Sequence, residues 1–289
     1  MRRLNGILGA FLSALALAAA GCDSGGSHDT SSQGGVVVDD QLKDELRTIR
    51  TARLFFGHHS VGGNVLDGLA TLSAEAGVPI EIVPINEHQP GSQGRLEHAR
   101  IAENTKPYAK VDAFVEKVEA TGSDGPQLAL MKFCYVDFDP DTDVDKLFGY
   151  YQQSVVKLKA AKPGLILMHV TAPLMERPSG LKVQLNRLLG RPIWGDAANL
   201  KRSTYNEKLR TAYAGEPIFD LAAVESTRPD GSREVFRYQD QEGYALWPGY
   251  TADGGHLNPL GKRVAARALI RVLAEAVKAA GTREAAAQR

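Results

Sequence analysis

Cysteine is nearly absent: Cys22 and Cys134 are the two in 289 residues. That excludes a disulfide framework, and a domain of this length can rest on core packing even in an oxidising compartment. No sign of charge is in excess, since 34 basic residues balance 34 acidic ones. There is also no basic tract with interleaved aromatics to follow a phosphate backbone, so nucleic acid is not an expected partner. His-Glu-x-x-His and cysteine pairs are missing, and the adjacent His58 and His59 cannot easily point at one ion from extended backbone. Neither a metal nor a cofactor is therefore expected. The Gly-x-Ser-x-Gly of an α/β-hydrolase elbow is absent too, because His58 takes its first position around Ser60. No internal repeat is evident.

What is present begins with an export signal over residues 1–21. Arg2 and Arg3 precede an apolar run from Ile7 to Ala20, too short and Ala-rich for a comfortable membrane span. Ala19-Ala20-Gly21-Cys22 resembles a bacterial lipobox, although Leu is more usual where Ala19 stands. In that reading Cys22 is lipidated, and the protein is an exported lipoprotein facing the periplasm or cell exterior, held to the membrane by lipid alone. Ordinary cleavage and a retained anchor are the alternatives. Residues 22–40 then read as lipidated Cys and polar tether, 41–281 as one folded domain and 282–289 as a disordered tail. Cys134, within the apolar stretch that starts at Leu128, reads as a buried small hydrophobe.

From Arg53 onward strand-like and helix-like runs alternate. Arg53 to Gly57 is followed by Val61 to Ala76, and Ile80 to Ile85 by a Gly-rich loop and a helix around Ala109 to Ala120. Leu128 to Tyr135 leads into Val144 to Ala161, and Leu165 to Thr171 is followed by Ser203 to Ala214. This order predicts a three-layer α/β/α domain on a central, mostly parallel sheet, flavodoxin-like in kind. The last helix is announced by Asn258 as cap and Pro259 as first helical residue, and should end near Gly281. Residues 228–250 read as a long loop or a hairpin over the site.

Two segments carry chemistry. Gly57-His58-His59-Ser60 ends the first strand, and Asp253-Gly254-Gly255-His256-Leu257-Asn258 precedes the last helix. An Asp three residues before a His on a glycine-loosened loop can turn its carboxylate onto one imidazole nitrogen. The other nitrogen is then left to take a proton from a hydroxyl, here that of Ser60. Taken singly, Ser60 reads as a helix cap and His256 as a polar residue at a helix start; their joint order at strand ends favours a site.

These two blocks, in this order, resemble the SGNH or GDSL-like hydrolases, over roughly Arg53 to Ala280. The resemblance implies ester hydrolysis through an acyl-serine intermediate, with Ser60, Asp253 and His256 catalytic and no metal. The sequence departs from the pattern in two places. His58-His59 replaces the usual Asp, and Cys134-Tyr135-Val136-Asp137 is a weak counterpart of the Gly-x-Asn-Asp block, with Val136 where the oxyanion Asn should stand. A valine donates no hydrogen bond, and losing one such donor costs about a hundred- to a thousand-fold in rate. The remaining candidates for the oxyanion hole are the Ser60 N–H at its helix start, Gly94 in preference to Gly91, Asn64, His59 and the Cys134-Tyr135 stretch.

Asp137, Asp139, Asp141 and Asp143 alternate as in a calcium loop, yet Thr142 replaces the turn glycine and Phe148 the terminal Glu; they read as an acidic start to the next helix. Trp194, Tyr244, Trp247 and Tyr250 offer aromatic faces for a sugar, or simply lid and core packing. The expected function is a serine esterase acting on short acyl groups, O-acetyl above all, of a small molecule or an envelope or extracellular carbohydrate. Two alternatives stand beside it: a non-catalytic glycan-binding lipoprotein on the same fold, and an acyltransferase.

Overall fold

Alternate residues of each strand face two different cores. In the computed structural model, which describes residues 35–85, 94–122 and 125–287, Leu54 and Phe56 of β1 (Leu54–His58) enter one core and Phe55 the other. With both faces covered, such a strand reads as an unbroken apolar run. β1 lies in a six-stranded parallel sheet with β2 (Glu81–Pro84), β3 (Arg95–Arg100), β4 (Leu128–Met131), β5 (Ile166–Val170) and β6 (Ile218–Phe219), in the order β2-β3-β1-β4-β5-β6. Helices α1 (Asp40–Ile49), α2 (Val61–Glu75) and α8 (Pro259–Ala287) cover one face, and α3 (Pro107–Glu119), α4 (Val144–Ala161) and α6 (Trp194–Ala212) the other. The result is the expected three-layer α/β/α architecture. Two short helices, α5 (Leu181–Leu188) and α7 (Leu221–Ser226), and a hairpin of β7 (Val235–Tyr238) and β8 (Gln241–Tyr244) complete it.

The chain passes from β1 to β2 and β3 on one side and to β4 on the other. The carboxyl end of β1 is therefore the point where strand order reverses, the usual place for a ligand in such sheets. On one face α2 and α8 cross closely at Gly68, where a Cβ would come within 2.2 Å of the Lys262 carbonyl oxygen. That approach brings the starts of both helices to the same edge, and Lys262 pairs with Asp67 at 2.7 Å across it.

Several expectations need correction. β3 occupies part of what the sequence presents as loop, because its Arg, Glu and His residues mask a central strand. α6 begins at Trp194, nine residues before the apolar pattern suggests. α8 runs through Gly281 to Ala287 instead of stopping, since an exposed helical Gly costs only about 1 kcal/mol and the residues after it favour helix. The chain divides into units Met1–Ser31 and Ser32–Arg289, the second carrying the sheet and both cores. The export signal, Cys22 and the tether up to residue 34 lie outside the described residues, as does Gly91. Among the described residues no helix is long and apolar enough to cross a membrane.

Candidate active site

Ser60 lies two residues beyond β1 and immediately before α2, with φ 50° and ψ −110°. Glycine adopts this conformation freely and L side chains rarely do, at a cost of about 1–3 kcal/mol. The surroundings enforce it. Gly62 lies so close to His58 that a Cβ there would meet the His58 Cβ at 2.4 Å, so the turn is wrapped tightly around the strand end. Ser60 makes no side-chain capping bond to α2. Its Oγ instead lies 2.6 Å from His256 Nε2.

The histidine is held by the loop between Thr251 and Leu257, which pair as an isolated bridge. Asp253 Oδ1 accepts the His256 and Gly255 N–H groups at 2.8 and 3.0 Å, while Oδ2 lies 2.7 Å from His256 Nδ1. Those donors, the His256 N–H first, hold the Asp253 carboxyl far below the ordinary carboxylate range. An ionised Asp253 places the proton on Nδ1 and leaves Nε2 to accept from Ser60. Asn258 Oδ1 caps α8 by accepting the Gly261 N–H at 3.0 Å, so this loop runs straight into the helix.

Of the residues expected to form the oxyanion hole, Ser60 stands at the N-cap position of α2, immediately before its first turn. Asn64 is adjacent, and its Oδ1 accepts the Leu257 N–H at 3.1 Å, bracing the His256 loop against α2. Gly94 is a correction. Its N–H is directed to the Ala52 oxygen at 3.3 Å, and a Cβ would meet the Arg50 oxygen. It therefore sits just before β3, at the amino-terminal edge of the sheet, opposite the edge that carries Ser60. Its φ of +81° serves the turn into β3.

Tyr135 fills the space beside the nucleophile. Its ring meets the His256 ring edge-on at 5.7 Å between centroids. Burial raises the phenol above its ordinary value, so it is a neutral O–H donor near pH 7. Gly255 permits the contact, because a Cβ there would lie 2.8 Å from Tyr135 Cζ. The Cys134-Tyr135 stretch is among the sequence candidates, but nothing in the sequence indicates that it is the phenol ring that packs against His256.

Behind Tyr135 lies a sealed polar seam. Arg202 donates to the Tyr135 carbonyl at 2.9 Å, and Lys110 pairs with Asp137 at 2.6 Å with neither side chain exposed. Asp137 also accepts the Thr105 and Cys134 N–H groups, fixing the short 3-10 turn Tyr135–Asp137. Burial pushes Glu225 up to about 8 and Lys132 down to about 8. His58, 3.0 Å from His98 across β1 and β3, is held down to about 3 by burial, with Lys132 next. The four alternating aspartates separate. Asp137 joins this seam, Asp139 closes its own turn onto Asp141 and Thr142, and Asp143 caps α4 through the Lys146 N–H. Among the aromatics, Tyr250 is buried, Trp247 packs against it and Tyr244 lies under Arg233, whereas Trp194 is exposed.

An α/β/α sheet with a serine, a histidine and an aspartate in line at its carboxyl edge defines the class of site. Among solved structures, the chain is similar to a carbohydrate esterase family 3 from Talaromyces cellulolyticus, at 13% identity over 78% of this chain and 97% of that chain, with a TM-score of 0.45. It is also similar to the periplasmic domain of a lipopolysaccharide acetyltransferase from Salmonella ser. Paratyphi A, at 12% identity over 79% and 93%, with a TM-score of 0.42. A family 3 carbohydrate esterase from Clostridium thermocellum is similar at 12% identity over 79% and 98%, with a TM-score of 0.37. No protein-family model matches the chain, and no curated protein matches its sequence. The chemistry assigned below rests on the geometry of the site.

Proposed function

We propose that the protein is a serine esterase that removes short acyl groups, O-acetyl above all, from a carbohydrate. The 2.6 Å contact between Ser60 Oγ and His256 Nε2 carries this reading. In the forward step His256 takes the Ser60 proton as Oγ attacks the ester carbonyl. The tetrahedral oxyanion collapses to acyl-serine, and the protonated imidazole passes its proton to the departing alkoxide. Water, deprotonated by the same nitrogen, then releases the acid and restores the serine. The Ser60 N–H, at the positive start of α2, and the Tyr135 phenol are the oxyanion donors, with Tyr135 in place of the side chain that Val136 cannot supply.

The substrate class follows from openness. The His256 and Asp253 side chains are 45% and 57% exposed, so a bulky acyl-bearing alcohol can approach the nucleophile without entering a tunnel. That favours an acetylated polymer over a free long-chain ester. The test is turnover of a chromogenic acetyl ester and acetate release from an acetylated glycan by the Ser32–Arg289 protein, its Ser60→Ala variant and its His256→Ala variant. Each variant should lose about 10⁴-fold or more in kcat. Equal turnover by all three proteins would remove the assignment. An unaltered chromogenic activity with no acetate from glycans would remove only the substrate.

A further inference from the structure

α5 turns its apolar side outward. Leu181, Leu185 and Leu188, spaced i, i+4 and i+7, are 86%, 53% and 83% exposed, and no residue of the helix is buried. Its inner side carries Arg187 instead, whose guanidinium is tied to the Pro178 carbonyl and to Asp196. A helix whose fold ends at its own surface shows the reverse arrangement, with leucines inward and arginines in water.

Three further observations identify what covers these leucines. Residues 177–195 hold Arg177, Lys182, Arg187 and Arg191, of which Arg177 and Arg187 pair with Asp196, leaving Lys182 and Arg191 as the exposed cations. Lys182 and Arg191 are exposed on the helix and just past its end, and Trp194 follows at 54% exposed. Leucines this exposed project from the surface, which suits a deformable partner better than a complementary protein. Leucines on one side with the exposed cations Lys182 and Arg191 beside them is the composition of helices that lie in the headgroup region of an anionic bilayer. The location fits as well. The segment leading to α5 donates the Glu176 N–H to the Gly254 oxygen of the His256 loop, and the described chain enters at Gly35, beside Leu260 at the start of α8. Entry point, helix and site thus share one edge of the sheet, and the sequence upstream of Gly35 reads as that of a membrane lipoprotein.

We propose that α5 is a membrane-surface docking element, laying Leu181, Leu185 and Leu188 into an anionic bilayer beside the Ser60 site. It acts as an interfacial helix and does not span. The assignment is independent of the esterase reading, since it uses none of the three site residues.

Flotation of the Ser32–Arg289 protein with vesicles of phosphatidylcholine and phosphatidylglycerol, against phosphatidylcholine alone, tests it without any lipid anchor. Binding should appear with phosphatidylglycerol and fall about fivefold per charge in Lys182→Glu and Arg191→Glu. The triple variant Leu181→Gln, Leu185→Gln, Leu188→Gln should lose tenfold or more of the partition, with its melting temperature and turnover of a soluble acetyl ester unchanged. Undiminished flotation of the triple variant overturns the proposal. So does absence of native binding at every phosphatidylglycerol content, and so does a native dimer in solution that the triple variant dissolves, which would assign the face to a second copy.

Discussion

Asp253 and Asp137 are each fixed by three close hydrogen bonds, yet one sits in water and the other is sealed. Asp253 takes two loop N–H groups and the His256 ring on a side chain 57% exposed. Asp137 takes the Thr105 and Cys134 N–H groups and the Lys110 ammonium with no exposure at all. The exposed carboxylate is surrounded by solvent that can replace any partner it loses. Its local role is orientation: it fixes a tautomer and a ring angle. The sealed one has no substitute for its partners, so its role is to keep the 3-10 turn bearing Tyr135 where it is. The geometry of the exposed site rests on charge placement in the interior.

The contrast breaks first at Asp253. Asp253→Asn should leave the melting temperature nearly unchanged while lowering kcat on an acetyl ester about 10⁴-fold, through loss of the productive tautomer. A large fall in stability with modest loss of rate would invert the comparison. Lys110→Met should do the opposite in kind, costing about 3–5 kcal/mol in denaturant unfolding because Asp137 is left charged and unpaired. Lys110→Met with Asp137→Leu should recover part of that loss. Tyr135→Phe lies between the two regions, and should reduce kcat about a hundred- to a thousand-fold with KM and stability little altered. An unchanged kcat would return the phenol to packing alone.

The smallest effect concerns pH. His58 and His169 are held by burial at about 3 and about 4, below the ordinary 6.5. The unfolded chain therefore binds more protons than the fold beneath pH 6.5. Their contribution is complete above that pH and declines towards 4, by about 1.4 kcal/mol per pH unit for each histidine. Glu225, raised to about 8, runs the other way and favours the fold as pH falls from 8 to 4.5. Urea unfolding at several pH values should show His169→Gln with an acid limb shallower than native by about that slope. A parallel limb would mean that His169 is not kept neutral.

Much of this was legible beforehand, for reasons that differ by element. β1, β4 and β5 are sealed on both faces and announce themselves as apolar runs, and α4 was bounded as found because Asp143 caps an amphipathic stretch. Ser60 and the Asp253–His256 pair were legible because the second is a local motif and the first ends an apolar strand. β3 was hidden, since Arg95 and Glu97 are charged residues with 7% and 6% exposure. With β3 masked by its charged residues, the sequence does not assign Gly94 to an edge of the sheet, and a glycine serving a turn at the far edge reads there as an oxyanion donor. The polar seam left no trace either. Arg202 lies among polar neighbours in the sequence, and only the packing of α6 shows that it is buried.

The backbone at Ser60 has a consequence for how this protein can change over time. A glycine would occupy that dihedral pair at ease, so drift towards greater sturdiness presses on this codon to discard the hydroxyl. In the esterase reading proposed above, robustness and turnover are opposed at a single residue, and a lineage released from the need for the reaction should lose this hydroxyl before its core erodes.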